Sequence, residues 1–100
     1  MNVYALAQLR IHDREAYGRY MSKFMPVLDK YNGKLLAADE TPRVLEGDWG
    51  DRNKVVLMAF NDASAFRAWA TSPEYTEIAK DRIAGADAVV LLIKGFEAAS

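Results

Sequence analysis

The stretch KVVLMAFNDASAFRAWATSPEY, Lys54 to Tyr75, determines how the rest of this 100-residue chain is organised. From Val55 to Phe60 of its opening segment, Lys54 to Phe60, both sets of alternating residues are apolar. This is typical of a central strand with both faces covered. Asn61-Asp62 then supplies an N-cap for a helix that places Phe66 and Trp69 on one face. The stretch therefore predicts a buried strand followed directly by an amphipathic helix.

The end of this stretch predicts that the helix stops and restarts. In Ser72-Pro73-Glu74 the serine is a new N-cap, the proline suits the first helical position, and the glutamate complements the positive end of the helix dipole. The restarted helix is expected to end near Gly85. A last strand is predicted from Ala88 to Phe96, followed by a loose tail, Glu97 to Ser100.

Near the amino terminus, every second residue from Val3 to Ile11 is apolar, and this period of two predicts a strand. Asp13 is a natural N-cap for a helix from Arg14 to about Tyr31, where Asn32-Gly33 supplies a left-handed stop. Pro26 is discordant inside this helix, because it lacks an N–H and its ring crowds the preceding turn. A kink or a break is predicted there.

The middle of the chain predicts an edge strand. Lys34 to Ala38 forms its first part, and the strand is expected to resume from Arg43 to Gly47 after an interruption. Pro42 permits only an edge or bulge position. The turn-rich segment Asp48 to Asn53 then connects this strand to the next as a hairpin.

The resulting order, β-α-β-β-α-β, predicts a single α+β domain spanning residues 1–100. Short connections and right-handed crossovers favour a split βαβ sandwich, a four-stranded antiparallel sheet with helices on one face. The third and fourth strands are apolar on both faces, so the open face needs a cover. A second copy of the chain supplies one, which predicts a homodimer whose sheets face each other.

Composition excludes several classes of protein. The chain is 51% hydrophobic and 27% charged, with a net charge of -1, so it lacks the basic footprint of nucleic-acid binding. No cysteine and only one histidine are present, which argues against a metal site and makes the cytoplasm the default compartment. No apolar run is long enough to span a bilayer. A soluble cytoplasmic protein without membrane or nucleic-acid partners is therefore expected.

Three groups of residues form a recognisable pattern: Glu15-Ala16-Tyr17, Val44-Leu45-Glu46-Gly47 followed by Trp49, and above all Ala68-Trp69 with Ser72-Pro73-Glu74-Tyr75. In this pattern nearly the whole chain resembles the DUF1330 family, within the ferredoxin-like, dimeric α/β-barrel superfamily. The resemblance implies a cleft between the sheet and the helices. The superfamily includes cofactor-independent monooxygenases, muconolactone-type isomerases and haem-dependent enzymes, but such a fold hosts unrelated chemistries. A haem would need a histidine in the cleft, and no cofactor is expected here.

Two residues are candidates for acid–base chemistry. Glu46 lies on an otherwise apolar predicted strand, where a partly buried carboxylate with a raised pKa can act as a general base. The alternative is a structural ion pair with Arg43, Arg10 or Arg52. His12 lies between a strand and a helix and can move a proton near neutral pH, or it is simply a solvated loop residue.

Aromatic residues suggest a pocket for a planar ligand, with Trp49, Trp69, Tyr20 and Tyr75 as candidate substrate-binding residues. Core packing is the better explanation for each of them except Trp49, which is expected to be exposed by a turn. Two hypotheses follow. The first is a cofactor-independent monooxygenase- or isomerase-like enzyme for a small aromatic or lactone-like substrate. The second is a non-catalytic homodimeric module that binds a small apolar ligand.

Overall fold

The computed structural model describes residues 2–96, which form one antiparallel sheet and a layer of helices. The strands are β1 Val3–Ile11, β2 Lys34–Asp39, β3 Lys54–Phe60 and β4 Ala86–Lys94; the helices are α1 Arg14–Lys30, α2 Ala63–Ala70 and α3 Pro73–Gly85. The sheet order is β2-β3-β1-β4, with every neighbouring pair antiparallel. The predicted α+β, ferredoxin-like arrangement is confirmed. The tail expected from Glu97 to Ser100 lies outside the described residues.

All three helices begin at the N-caps that the sequence predicts. The Asp13 carboxylate accepts hydrogen bonds from the first turn of α1, the Asp62 carboxylate does so for α2, and the Ser72 hydroxyl does so for α3. Asn32, with φ of 61°, ends the first helix in the left-handed region as expected. None of the helices within residues 2–96 is long and apolar enough to cross a membrane.

Of the kink or break predicted at Pro26, the break is wrong, because α1 runs without interruption from Arg14 to Lys30, and the kink stays a prediction. Pro26 lies on the exposed side of the helix, where water can bond the carbonyl that its ring leaves free. Phe24 and Leu28 flank it and are 3% and 0% exposed. Their burial holds the helix against the sheet on both sides of the proline.

The predicted resumption of the second strand from Arg43 to Gly47 is also wrong. Residues 40–53 form an irregular loop between β2 and β3. Gly47 and Gly50 both have positive φ, 88° and 73°, so the backbone cannot continue a ladder there. The loop is anchored to β1 instead, because the Asn53 side chain bonds both the N–H and the carbonyl of Ile11, at 2.7 and 3.0 Å.

The last strand begins two residues earlier than predicted, at Ala86 rather than Ala88, and ends at Lys94. Ala86 pairs with Ile11, and the Gly85 carbonyl accepts from the N–H groups of His12 and Asp13 at 2.9 and 3.1 Å. These contacts join the end of α3 directly to the strand. No loop is therefore needed between the last helix and the sheet.

The two faces of the sheet differ in their cover. On the helix side, alternate residues of β1 and β3 are buried, with Leu9 and Phe60 only 1% and 2% exposed. The opposite face carries no helix within residues 2–96. A row of leucines crosses it from strand to strand, since Leu6 pairs with both Leu57 and Leu91. This open face remains partly exposed, and Leu91 is 46% exposed.

Candidate functional site

A cavity of about 260 Å³ lies between the helices and the sheet. An engineered apolar cavity of about 150 Å³ holds a benzene molecule, so this one has room for a small planar ligand. Its walls come from both layers of the fold and are almost wholly apolar and aromatic. They are formed by Ala7, Leu9, Tyr17, Tyr20, Met21, Phe24, Leu35, Ala38, Val56, Met58, Phe66, Trp69, Ala70, Tyr75, Arg82 and Val90.

Two tyrosines form the polar part of this cavity. The hydroxyl oxygens of Tyr20 and Tyr75 lie 3.0 Å apart and share a hydrogen bond. Burial, followed by the nearby Tyr75 hydroxyl, raises the pKa of Tyr20 far above its usual range, so this phenol stays protonated. The Tyr75 ring in turn packs on Trp69, with centroids 4.0 Å apart. The pair therefore offers one hydroxyl proton beyond its mutual bond.

The segment between α2 and α3 positions Trp69 and Tyr75. The Ser72 hydroxyl donates to the Trp69 carbonyl at 2.8 Å and accepts from the Tyr75 N–H at 3.0 Å. Ser72 is 4% exposed, which agrees with its predicted role as a cap. The Glu74 carboxylate accepts from the Tyr31 hydroxyl at 3.0 Å and bonds the Lys30 ammonium, which ties this corner to the end of α1.

A buried cation that sequence reasoning missed lies beside the cavity. Lys54 is 5% exposed, and its Nζ lies 4.8 Å from the centroid of the Tyr17 ring and 3.8 Å from the Met21 sulfur. Burial lowers the pKa of Lys54 and raises that of Tyr17 to about 12. The sequence signal for this burial is that Lys54 lies on the same face of the strand as Val56 and two further buried residues.

Arg82 is the second residue that sequence reasoning missed. It lines the cavity from the last turn of α3, and its Nε is buried without a hydrogen-bond partner within residues 2–96. The Trp69 Nε1 is likewise buried without a hydrogen-bond partner within residues 2–96. The signal for Arg82 was its place on the helical stripe formed by Tyr75, Ile78 and Ala79, all of which face the interior at least in part.

The structure brings together three of the six candidate residues. Tyr20, Trp69 and Tyr75 line the cavity. Glu46 and Trp49 lie instead in a shallow depression on the open face of the sheet, which Leu6, Gln8 and Val55 also line. The indole N–H of Trp49 donates to the Gln8 side chain at 2.9 Å, which leaves this tryptophan half-buried rather than exposed as predicted.

His12 lines neither the cavity nor the depression. It lies at the junction of β1 and α1, as the sequence predicts, with its Nε2 3.8 Å from an Asp87 carboxylate oxygen. Its side chain is 39% exposed. Since it does not reach the cavity wall, any proton transfer by His12 would serve a ligand bound elsewhere or reach the cavity through water.

The predicted surroundings of Glu46 are wrong. It lies in the loop rather than on a strand, and its side chain is exposed rather than partly buried. Within the described chain, none of the three arginines considered as partners pairs with it. Arg10 bonds Asp87 and lies 3.6 Å from Asp51, while Arg52 donates to the Trp49 carbonyl at 3.0 Å. The catalytic role of Glu46 stays a prediction.

The cavity wall combines a large apolar surface with a few polar groups. Within residues 2–96 there is no group of three or more histidine, aspartate or glutamate side chains placed to hold a metal ion. The polar atoms at the cavity are phenol, indole and guanidinium groups, which donate hydrogen bonds. They can orient an oxygen-bearing ligand and stabilise negative charge on it.

Solved structures of low sequence identity share this fold. A protein of unknown function from Rhodopseudomonas palustris matches with a TM-score of 0.80 and 22% identity, over 97% of this chain and 84% of that one. A dimeric ferredoxin-like protein of unknown function from Jannaschia sp. CCS1 matches with a TM-score of 0.70 and 21% identity, over 95% and 100%. SnoaB, a cofactor-independent oxygenase from Streptomyces nogalater, matches with a TM-score of 0.69 and 14% identity, over 97% and 95%.

The family of the chain follows from a match over almost its whole length. No curated protein matches its sequence. The model of the family described as DUF1330, a domain of unknown function, matches residues 2–96, which includes every element of the sheet and the helix layer. The chain therefore belongs to the DUF1330 family.

Proposed function

We propose that this protein is a homodimeric module that binds a small, planar, largely apolar molecule in the cavity between its helices and its sheet. The observation that carries the proposal is the open cavity of about 260 Å³. The aromatic side chains around it, among them Phe24, Phe66 and Trp69, form its walls and do not fill it. An apolar pocket with a few convergent polar groups is the usual form of a small-molecule site.

The binding proposal is tested by reducing the cavity. Ala70 lies on the cavity wall and Ala68 lies exposed on the same helix, so they form a matched pair. Ala70→Leu is expected to weaken the binding of 2-naphthol, used as a planar probe, by at least about tenfold, since added methylenes occupy ligand space. Ala68→Leu is expected to leave binding unchanged.

Quenching of tryptophan fluorescence is a suitable readout, because Trp69 forms part of the cavity wall. Equal binding by wild type and Ala70→Leu would place the probe outside the cavity and contradict the proposal. Native mass spectrometry of the purified protein complements this titration. A co-purified small molecule that is lost in Ala70→Leu and kept in Ala68→Leu would identify the natural ligand.

The homodimer is proposed to form through the open face of the sheet. This face presents Leu6, Leu57 and Leu91 as a continuous apolar row, with Val89 and Ile93 44% and 41% exposed beside it. Full burial of each large side chain is worth about 1.5–3 kcal/mol, so a second copy gains much by covering them. The dimeric state of the similar Jannaschia protein supports the proposal. The absence of cysteine agrees with a cytoplasmic location.

Sedimentation velocity at micromolar concentration tests the interface. Leu91→Glu is expected to give a monomer, because it buries a carboxylate in the middle of the proposed contact. Ile83 is 67% exposed on α3, away from the sheet, and Ile83→Glu is the control that should stay dimeric. A wild-type monomer, or a Leu91→Glu dimer of unchanged affinity, would refute this interface.

A second proposed function is catalysis, as a cofactor-independent oxygenase- or isomerase-like enzyme on a small aromatic or lactone-like molecule. The observation that favours it is the shared fold with SnoaB, a cofactor-independent oxygenase. In this proposal Tyr20, Tyr75 and Trp69 contact the substrate in the cavity, and Glu46 or His12 accepts a proton; Trp49, on the open face of the sheet, reaches the substrate only if its loop moves. The exposed position of Glu46 would require the loop to move or a partner subunit to enclose it.

Turnover of the co-purified molecule separates binding from catalysis. Oxygen consumption and product formation are measured for wild type, Glu46→Gln and His12→Asn. A general base contributes about 10²- to 10⁴-fold, so loss of the true base reduces kcat by that order. Stable binding without any turnover would favour the non-catalytic module. Turnover unaffected by either substitution would remove both residues from the reaction.

A further inference from the structure

Arg82 differs from Lys80 and Arg19, two other basic residues of the helix layer, in its burial and in its ion pairing. Its neighbour on α3, Lys80, bonds Glu77 in solvent at 2.9 Å, and Arg19 on α1 bonds Asp81 at 3.1 Å. Arg82 has no carboxylate within 4.0 Å in the part of the chain that the structure describes, although its Nε is buried. A buried donor without a partner is destabilising, and more so when it is charged.

Trp69 provides a second and independent observation. Its side chain lines the same cavity and is 3% exposed, yet its Nε1 also has no acceptor within residues 2–96. The Tyr20–Tyr75 pair adds one free hydroxyl proton to this wall. No acidic side chain lines the cavity to satisfy any of these donors. The residues that line the cavity thus include a guanidinium and no carboxylate to balance its charge.

We infer that the natural ligand of this cavity is an organic acid, a planar apolar body that carries a carboxylate or an equivalent oxyanion, and that Arg82 anchors the anionic end. The inference rests on the proposed function and specifies its ligand class. A guanidinium binds a carboxylate through charge-assisted hydrogen bonds, and the indole N–H and a phenol hydroxyl supply further donors. The aromatic walls hold the apolar body.

The inference is tested with two probes of nearly equal shape, 2-naphthoate and 2-naphthamide, titrated into the purified dimer by isothermal calorimetry. The carboxylate is expected to bind at least about tenfold more tightly than the amide, because hydrogen bonds to charged groups are the stronger ones. Arg82→Met is expected to abolish this preference, because it weakens carboxylate binding far more than amide binding. Arg67→Met, at an exposed arginine of α2, is the matched control that should keep the preference.

The outcomes distinguish the ligand class from the cavity itself. If both probes bind wild type equally well, the cavity function stands and the acid anchor is refuted. If the preference exists but survives in Arg82→Met, the anchor is another residue and the inference fails. If neither probe binds, the proposed function and the inference fail together. Should Arg82→Met not fold, Arg82→Gln and the wild-type ratio of the two affinities decide in its place.

Discussion

The hydroxyl oxygens of Tyr20 on α1 and Tyr75 on α3 lie 3.0 Å apart, although 55 positions separate the two residues in the sequence. Their bond joins the two long helices at the wall of the cavity. It also joins two residues that the sequence analysis predicts, each on its own, to contact a ligand. The position of this bond makes it both a structural link and a polar feature of the site.

Removing one hydroxyl of this pair is expected to destabilise the protein. Tyr20→Phe or Tyr75→Phe should each lower the free energy of unfolding by about 1 kcal/mol, because the remaining hydroxyl loses its partner. The double variant should cost less than the sum, with a coupling energy of about 0.5 kcal/mol or more. Urea unfolding at fixed protein concentration, followed by circular dichroism, measures all three. Strict additivity would show that the bond is not formed in solution.

Position 85 is expected not to tolerate a side chain as small as a methyl group. A Cβ there would lie 2.7 Å from the Tyr17 nitrogen and 2.9 Å from the Asp13 carbonyl oxygen, both backbone atoms that cannot move independently. Gly85→Ala should therefore destabilise the protein by about 1–3 kcal/mol. At Gly18, inside α1, nothing lies within 4 Å of an added Cβ, so Gly18→Ala should stabilise it by about 0.5–1 kcal/mol. Thermal unfolding of both variants compares them directly, and a loss at Gly18 equal to that at Gly85 would contradict the packing argument.

Glu74 predicts an acid-sensitive contact between α1 and α3. Its bond to Lys30, assisted by the Tyr31 hydroxyl, lowers its pKa from 4.5 to about 2. The unfolded chain therefore binds this proton more readily, and the stability from the contact is present above about pH 4.5 and is lost as the pH falls towards 2. Glu74→Gln should show a smaller loss of stability across that window than wild type. Glu77→Gln, on the same helix, should retain the wild-type decline; identical curves for all three would refute the prediction.

Lys54 is expected to give a second rise of stability with pH, in the alkaline range. Burial lowers its pKa, so the unfolded chain binds the proton more strongly and stability should rise with pH as the window below 10.5 is crossed. Lys54→Met should remove that rise and stabilise the protein at pH 7 by on the order of 1 kcal/mol, since a buried charge is replaced by an apolar chain. Lys34→Met, at an exposed position of β2, is the control. Destabilisation of Lys54→Met at pH 7 would show that the ammonium contacts outweigh its desolvation.

Most of the fold follows from local patterns. The alternation of Val3 to Ile11 and the caps at Asp13, Asp62 and Ser72 predict strands and helices that the structure contains. These signals succeed because periodicity and capping act between neighbouring residues. The two errors, a break at Pro26 and a strand from Arg43 to Gly47, arise where tertiary contacts override them. Docking of α1 on the sheet keeps the helix continuous at Pro26, and the bonds of Asn53 to β1 hold the end of the loop that replaces the predicted strand.

The candidate site was predictable only in part. Tyr20, Trp69 and Tyr75 fall on helical stripes and converge because those helices pack on the same face of the sheet. Lys54 and Arg82 were overlooked, since a charged residue within an apolar stripe is easily assigned to the surface. Glu46 and Trp49 lie on the other face because they belong to a loop whose path no periodic pattern determines.

The sequence by itself determined the elements, their order and the apolar character of both sheet faces, because these depend on the chemistry of each segment and on chain connectivity. Only the tertiary structure decided that the space between helices and sheet remains open, and which side chains surround it. Cavity volume depends on how side chains from distant segments meet. It also placed Arg82 and Trp69 at the same cavity, which follows from the packing of α2 and α3 rather than from either segment alone.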